Sequence, residues 1–286
     1  MGDRLTLTLK TVVPWGRSLE EYVGMFALSL GDLDSRLLDC GGGPASFNAE
    51  LAARGKRVVS CDPLYRFAAG QIAARVDETH PVMVAGMEAE RERFVWTDAG
   101  SPARLGERRL AIMRRFLADY EAGPAQGRYV AAALPALPFG ADEFDLALCS
   151  HLLFLYSAQL STDFHLAAIR EMLRVAGQAR IFPLLDMGGR RSAHLQPVVD
   201  ELAREGYQPR IERVLYEFQR GGDQLLRIER GGQPPSRRPV PDARGRRRVS
   251  SRARRRICAT TAVRAPSEIL RCARDDRAVR MTRRSG

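Results

Sequence analysis

The stretch Leu38-Asp39-Cys40-Gly41-Gly42-Gly43-Pro44-Ala45 joins an apolar segment to three consecutive glycines. Residues 36–40 predict a buried strand, and residues 45–54 predict a helix that ends at Gly55. Glycines in such a turn let the backbone approach a ligand closely, and the helix start behind them offers free N–H groups. A second strand, predicted at residues 57–61, completes a βαβ unit that we expect to be right-handed.

An aspartate follows the second predicted strand. Asp62 stands 21 residues after Gly41, where a carboxylate can accept hydrogen bonds from the ribose hydroxyls of an adenosine. Gly41 and Gly43 match the first two glycines of the dinucleotide fingerprint, but Ser46 occupies the third position, so that fingerprint is incomplete. Taken by themselves, the glycines are also explained by a tight strand–helix turn that binds no ligand. Asp62 by itself is also explained as a cap or turn residue at the end of a strand. Together they favour an adenosyl ligand.

Ser18 and Glu21 form a capping box, which predicts the start of a short helix before the first strand. The rest of the first 230 residues predicts an α/β domain with an inserted helical cover. Where a doubly wound fold needs one helix, residues 64–127 predict two or three helical segments, of which 105–120 has the clearest apolar face. Strands and helices then alternate, and Gly221-Gly222-Asp223 marks a hairpin. This pattern implies a mostly parallel sheet with one antiparallel strand. Further strands are predicted at 128–133, 144–149, 179–185, 210–218 and 224–229, and helices at 162–175 and 192–205.

The net charge of +11 comes from the C-terminal residues. Residues 231–286 contain 17 Arg, no Lys and four acidic residues, so they carry +13, and residues 1–230 carry about −2. The chain therefore divides into a domain at 1–230 and an Arg-rich tail at 231–286, for which the composition predicts disorder. The tail is either an arm that binds nucleic acid or an extension of the reading frame in a GC-rich genome. The absence of aromatic residues for base stacking favours the second hypothesis.

The five cysteines form no CxxC pair, and none lies near a histidine at the spacing of metal ligands, so the sequence predicts no metal site. An odd number of thiols without a disulfide framework indicates a reducing compartment, and we expect a cytoplasmic protein. The first residues lack the apolar core of a signal peptide. The longest apolar stretch, around residues 146–156, is about half the length that a membrane span needs. We therefore expect no membrane partner.

Two further segments complete a family resemblance. Leu137-Pro138-Phe139 precedes the strand Phe144-Asp145-Leu146-Ala147-Leu148-Cys149 and its end at Ser150-His151. With the glycine turn, these segments resemble the methyltransferase type 11 group of class I S-adenosylmethionine-dependent enzymes, over roughly residues 14–230. The resemblance implies a Rossmann-like three-layer sandwich with a seven-stranded sheet in the order 3-2-1-4-5-7-6. It also implies S-adenosylmethionine as the cofactor, and it says little about the methyl acceptor.

The resemblance implies roles at the carboxyl edge of the sheet, where open α/β sheets bind ligands. Asp39, Gly41 and Gly43 would surround the amino-acid end of the cofactor. Asp62 would hold the ribose, and Leu64 would lie against the adenine.

The fourth strand and the segment before it would complete this site. Ser150 and His151 would face the methyl donor, and His151 either acts as a general base or lines the cofactor. Many relatives carry an Asp four residues before the Leu of Leu-Pro-Phe, where it meets the adenine amino group. That position is Ala133 here, so adenine recognition would rest on backbone groups near Leu134.

Three other side chains are candidates from the residues themselves. The Arg17 guanidinium matches the geometry of a carboxylate, so it could pair with the carboxylate of the cofactor. The alternative is a surface arginine beside a packed Trp15. Tyr22 is a weaker candidate for the same role. Tyr156 either lines the acceptor pocket or belongs to the core.

Methyl transfer from a sulfonium is an in-line displacement, so the protein mainly aligns donor and acceptor and excludes water. We expect a small-molecule acceptor, since no Asn-Pro-Pro-Tyr motif follows the fourth strand. The alternatives are a nucleic-acid methyltransferase that uses the tail, with binding that weakens steeply in salt, and a protein that binds the cofactor without turnover. An NAD-dependent reductase is disfavoured by Ser46 and by the terminal hairpin.

Overall fold

The computed structural model describes residues 13–231. Its centre is a seven-stranded sheet in the order β3-β2-β1-β4-β5-β7-β6. The first five strands run parallel, and β7 is antiparallel to both β5 and β6. The predicted fold class and strand order are therefore confirmed. The Arg-rich tail and the extreme N-terminus lie outside the described residues.

The helices and strands follow the alternation that the sequence predicts. The strands are β1 (Leu37–Cys40), β2 (Val58–Cys61), β3 (Tyr129–Val130), β4 (Phe144–Ser150), β5 (Ala176–Phe182), β6 (Gln208–Arg213) and β7 (Gln224–Glu229). The helices are α1 (Leu19–Phe26), α2 (Leu30–Leu33), α3 (Phe47–Ala52), α4 (Ala69–Ala89), α5 (Pro102–Tyr120), α6 (Thr162–Val175) and α7 (Leu195–Arg204).

The two faces of the sheet bury different side chains because successive residues of a strand point to opposite faces. Leu38 and Cys40 of β1 belong to the core that contains α6 and α7 residues, whereas Leu37 belongs to the core under α1 and α3. Asp39 shares the Leu37 face, where it is 1% exposed. A buried carboxyl therefore lies in the middle of the sheet, directly before the glycine turn.

The first helix begins as the sequence predicts. The Ser18 hydroxyl accepts a hydrogen bond from the Glu21 N–H, and the Glu21 carboxylate accepts one from the Ser18 N–H at 3.0 Å. This capping box satisfies two backbone donors that the helix start leaves free. It also fixes Glu21 on the buried side of α1.

Three predicted strands differ by more than one residue from their bounds in the structure. The third strand, predicted at 128–133, is confined to Tyr129–Val130 because the Ala132 N–H turns back to the Val130 carbonyl at 2.9 Å. The fifth strand, predicted at 179–185, spans Ala176–Phe182, since Pro183 has no N–H to continue the ladder. The sixth, predicted at 210–218, ends at Arg213.

Residues 218–220, in the connection between β6 and β7, pair with the inserted cover. The Val95 N–H donates to the Phe218 carbonyl at 2.7 Å, and the Arg220 N–H donates to the Arg93 carbonyl at 3.0 Å. The rings of Phe94 and Phe218 stack with their centroids 4.9 Å apart. The predicted helical insertion at 64–127 therefore reaches the β6–β7 connection.

The N-terminal segment joins the same cover. The Arg109 guanidinium of α5 donates to the Gly16 carbonyl at 2.9 Å, and the Trp15 ring stacks on His80 of α4 at 6.1 Å. The Arg93 side chain also donates to the Met187 carbonyl, in the loop after β5. These contacts place a roof at the carboxyl edge of the sheet, made of residues 13–17, 91–101 and 214–222. We call this set the roof.

Arg230 anchors the end of the described domain. Its guanidinium donates to the Leu173 and Ala176 carbonyls and pairs with Asp142 at 2.6 Å. We therefore expect a version of the chain that ends at Arg230 to match the full chain in melting temperature and in ligand affinity. Thermal melting and ligand titration of the two chains side by side test this. A melting temperature several degrees lower for the shorter chain would assign a structural role to residues 231–286.

Between residues 13 and 231, no helix is both long and apolar enough to cross a membrane.

Candidate functional site

The glycine turn after β1 has the backbone that its sequence predicts. Gly41 and Gly43 have φ angles of +71° and +51°, in the left-handed region where a glycine is least strained. A Cβ on Gly42 would lie 2.3 Å from Asp39 Oδ2, so no other residue fits there. A Cβ on Gly43 would meet no atom within 4 Å. The turn is therefore packed against the protein at Gly42 and faces open space at Gly43.

Asp62 lies against this turn. Its Oδ2 accepts a hydrogen bond from the Gly43 N–H at 3.0 Å, and its Oδ1 accepts one from the Leu64 N–H at 2.7 Å. Burial raises the pKa of Asp62, while the two N–H donors oppose that shift. Each carboxylate oxygen has a second lone pair, so Asp62 can still accept hydroxyl hydrogens from a ligand.

Asp39 is held by two hydroxyl groups. Tyr22 donates to its Oδ1 and Ser60 donates to its Oδ2, each at 3.0 Å. Burial raises the pKa of Asp39 to about 7, and the field of Asp62 adds to the increase, while the two hydroxyls lower it. This carboxyl group therefore changes its charge close to neutral pH.

Arg17 lies beside the turn with its positive charge unmatched by a direct partner. Its backbone carbonyl accepts from the Ser46 N–H at 3.0 Å, which places it next to the start of α3. The residue is 8% exposed, its Nη1 donates to the Trp15 carbonyl at 3.2 Å, and its buried Nε has no acceptor. Among the residues that the structure describes, no carboxylate forms an ion pair with Arg17. Burial lowers its pKa, and the neighbouring Arg109 lowers it further.

A buried ion pair lies next to Arg17. Arg109 of α5, with a side chain 0% exposed, donates to Glu21 Oε1 at 2.6 Å and to Glu21 Oε2 at 2.5 Å. The Tyr216 hydroxyl also donates to Glu21 Oε1, at 3.0 Å. Because Arg109 already neutralises Glu21, the cluster of Arg17, Arg109 and Glu21 keeps one net positive charge.

Ser150 and His151 stand at the end of β4, as predicted. His151 has a φ of +52°, its N–H donates to the Phe182 carbonyl at 2.7 Å, and its Nδ1 lies 2.8 Å from Ser150 Oγ. Burial lowers the pKa of His151 well below its ordinary value, and the charges of Arg17 and Arg109 lower it further. The imidazole is therefore neutral at pH 7.

The other predicted residues occupy the borders of this region. Leu64 is 1% exposed and packs in a cluster with Tyr65 and α5 residues, and Leu134 is 9% exposed. Tyr156 ends a 3₁₀ turn after β4, and its pKa is raised by burial and by the charge of Asp62. Tyr22 contacts Asp39 instead of standing free for a ligand carboxylate.

No sequence pattern indicated several of the residues that line this site. Ser60 lies within the β2 run, and the Tyr65 hydroxyl donates to the Gly43 carbonyl at 2.8 Å from inside the insertion. Arg109 and Tyr216 come from distant parts of the chain. The capping box is the only sequence feature that marked Glu21, and it indicated a helix start, not an ion pair.

No protein-family model matches the chain. Solved structures that match include a putative S-adenosylmethionine-dependent methyltransferase from Methanococcus maripaludis, 13% identical, with 76% of this chain and 85% of that chain covered and a TM-score of 0.40. Another is a TehB-like S-adenosylmethionine-dependent methyltransferase from Corynebacterium glutamicum, 15% identical, with 75% and 88% covered and a TM-score of 0.39.

A third structural match is magnesium protoporphyrin IX methyltransferase from Synechocystis with bound S-adenosylmethionine, 15% identical, with 70% and 73% covered and a TM-score of 0.36. In sequence, the chain is 32% identical over 225 residues to the uncharacterised protein MJ0045 of Methanocaldococcus jannaschii. That match covers 78% of this chain and 99% of the relative. The chain therefore belongs to the same protein family as MJ0045.

Proposed function

We propose that this chain is a methyltransferase that uses S-adenosylmethionine and acts on a small molecule. The observation that carries the proposal is the buried guanidinium of Arg17, which lies next to the glycine turn and forms no ion pair within residues 13–231. A buried charge without a partner is costly. An anionic ligand group bound there would supply the missing partner, and a carboxylate fits a guanidinium in geometry and charge.

The charges around the turn suit the amino-acid end of the cofactor. Arg17 lies on the side of α3 and α1, and Asp39 lies beneath the turn with a carboxyl group that ionises near pH 7. A zwitterion presents a carboxylate and an ammonium close together, so it complements one guanidinium and one carboxylate. In our proposal Arg17 binds the cofactor carboxylate, Asp39 faces the ammonium, and Gly41 and Gly43 let the backbone approach both.

The adenosine would lie across the ends of β2 and β3. Asp62 has one lone pair left on each oxygen for the ribose hydroxyls, and the open space at Gly43 leaves room beside it. Leu134 and Leu64 would border the adenine. Ala133 stands where many relatives carry an aspartate, so backbone groups near Leu134 would bind the adenine amino group instead.

Replacing Asp62 by Ala should lower the affinity for S-adenosylmethionine by at least tenfold. The variant loses hydrogen bonds to the ribose, each worth about 1.5–3 kcal/mol for a charged acceptor, and it also leaves the Gly43 N–H without its acceptor. Calorimetric titration measures the effect, and Asp145→Ala, which removes an exposed ion pair with Arg36, is the control. A dissociation constant equal to that of the parent would show that the ribose lies elsewhere.

When bound, the cofactor supplies an activated methyl group on a sulfonium, so the chain needs only to align and shield the acceptor. Ser150 and His151 stand at the end of β4, beside the amino-acid site. A neutral imidazole can accept a proton, so His151 is our candidate base for an acceptor that loses one during transfer. If the acceptor loses no proton during transfer, His151 only lines the site.

The position of the roof favours a small-molecule acceptor, not a nucleic acid. Residues 91–101 are hydrogen-bonded to residues 218–220, and both lie over the carboxyl edge of the sheet. A duplex or a folded RNA would have to displace these contacts before a base reached His151. A small molecule needs only a transient opening.

Radiolabelled S-adenosylmethionine incubated with a fractionated cell extract tests the proposal. We expect label to enter the low-molecular-weight fraction in the presence of the parent chain and not with Arg17→Met. Label that enters only DNA or RNA would replace the small-molecule acceptor by a nucleic acid. The absence of transfer to any fraction, with the cofactor still bound, would favour the non-catalytic alternative.

A further inference from the structure

A continuous chain of buried polar side chains connects Asp39 to Arg128, the residue before the edge strand β3. Ser60 of β2, which donates to Asp39 Oδ2, also accepts a hydrogen bond from Asn48 Nδ2 at 3.1 Å. Asn48, on α3, accepts in turn from Arg128 Nη1 at 2.8 Å. Arg128 is paired with Asp119 of α5 at 2.6 and 2.8 Å. Asp39, Ser60 and Asn48 are each 1% exposed.

The donors and acceptors of this chain have only one consistent arrangement. The Arg128 guanidinium is donor-only, so the Asn48 atom that faces it must be the carbonyl oxygen, and the Asn48 amide must point toward Ser60. Ser60 Oγ then receives a hydrogen from Asn48, so its own hydrogen is directed to Asp39. The Tyr22 hydroxyl supplies the second hydrogen to Asp39 from the opposite side. Asp39 is therefore surrounded by donors, which stabilise the ionised carboxylate.

We propose that Ser60 is a positioning residue that orients and stabilises the Asp39 carboxylate as the counter-charge for the cofactor ammonium, and that Asn48 and Arg128 act on Asp39 through Ser60. The part that concerns the ammonium rests on the proposed function. The arrangement of the polar chain itself does not depend on a ligand.

Other titratable groups around Asp39 interact with its charge. Tyr22 comes from α1, and Asp62 and Tyr65 follow β2. Cys40 of β1 and Cys149 of β4 interact with it from the other face of the sheet. The charge of Asp62 raises the pKa of Asp39, and burial raises it more, so the two hydroxyl donors are what limit the increase. Without the Ser60 donor, the pKa of Asp39 must rise further.

The sign of the pH dependence follows from this pKa. Asp39 has a pKa of about 7 in the fold, above its ordinary value, so the buried carboxyl is uncharged in acid and becomes charged as the pH rises. If the ammonium binds the charged form, cofactor affinity increases with pH up to about 7. An α-amino group itself loses its proton at about pH 7.7–8.0, so the informative window lies below that.

The experiment is an NMR titration of the ligand-free protein with ¹³C-labelled aspartate, which follows the Asp39 carboxyl directly. The variants are Ser60→Ala, Arg128→Gln and both together, and Arg170→Gln is the control because it removes an exposed arginine of an ion pair with Glu205. We expect Ser60→Ala to raise the pKa of Asp39 by about 1–2 pH units, from the strength of a hydrogen bond to a charged group. Arg128→Gln should raise it by less, and should add nothing when Ser60 is already Ala, since residues that act through one another are not additive. The control should leave it unchanged.

The same variants are then titrated with S-adenosylmethionine at pH 6.0, 6.5, 7.0 and 7.5. The increase in affinity should move to higher pH in Ser60→Ala by the same amount as the NMR midpoint. The positioning role would be overturned if the pKa of Asp39 were unchanged in Ser60→Ala. It would also be overturned if the pKa changes of Ser60→Ala and Arg128→Gln added up in the double variant. If the parent chain binds no S-adenosylmethionine, the proposed function fails and the NMR result still decides the polar chain. If it binds with the same pH profile in parent and Ser60→Ala, only the present inference fails.

Discussion

Arg17→Met is expected to reduce the affinity for S-adenosylmethionine by about 100-fold while leaving the ligand-free protein as stable as the parent, or more stable. Truncating one partner of a buried charge pair costs 2–5 kcal/mol or more of binding free energy. In the ligand-free fold, however, Arg17 is a buried cation whose Nε has no acceptor, so its removal relieves a desolvation cost. A side chain kept for packing would show the opposite pattern, with lower stability and unchanged binding.

The measurement for Arg17 combines thermal melting with calorimetric titration of two ligands. S-adenosylmethionine has the carboxylate, whereas 5′-methylthioadenosine lacks the whole amino-acid portion. The parent should prefer the first ligand strongly, and Arg17→Met should lose most of that preference. The matched control is Arg36→Met, which removes an arginine from an exposed ion pair with Asp145. Parental affinity in Arg17→Met would remove the cofactor carboxylate from this position.

The second large effect is expected for Glu21→Gln, on stability. The change removes the negative partner of Arg109, whose side chain is 0% exposed, and leaves two buried arginines with no acid between them. Breaking a buried ion pair on one side costs about 3–5 kcal/mol, which lowers the melting temperature of a domain of this size by about 10 °C. Thermal melting at pH 7 measures it. Glu205→Gln, in an exposed pair with Arg170, should change stability by less than about 1 kcal/mol.

The pH dependence of this effect has a defined sign. Burial raises the pKa of Glu21, but the charges of Arg109 and Arg17 and the hydrogen bonds from Arg109 and the Ser18 N–H together lower it well below its ordinary value. Glu21 therefore contributes stability that is fully present above its ordinary pKa of about 4.3 and is lost as the pH falls. The difference in melting temperature between parent and Glu21→Gln should shrink in acid. A difference that is constant from pH 7 to pH 3 would contradict an ionised Glu21.

The sequence predicted the parts of the fold that local patterns control. Alternating strands and helices and the terminal hairpin predicted a mostly parallel sheet with one antiparallel strand, and the capping box at Ser18 and Glu21 predicted the start of the first helix. The strand order came from the resemblance to the methyltransferase type 11 group. The helix at 162–175 was predicted to the residue. The glycine turn and Asp62 were singled out together as candidates for one adenosyl ligand, and in the structure the Gly43 N–H donates a hydrogen bond to Asp62.

What escaped prediction depends on contacts between distant residues. The chain leaves the predicted sixth strand after Arg213, and residues 218–220 pair with the insertion instead. No local pattern marks such a pairing. Arg17 was a candidate through its chemistry, but its burial beside Arg109 depends on α5, which lies more than 80 residues away in sequence. Ser60 and Asn48 have ordinary side chains for a strand and a helix. Only their places around Asp39 give them a role.

Calorimetric titration of the parent chain with S-adenosylmethionine and with NAD tests the central claim most directly. We predict a dissociation constant for S-adenosylmethionine in the low micromolar range, about −8 kcal/mol, and no measurable binding of NAD. Binding of NAD without binding of S-adenosylmethionine would contradict the account.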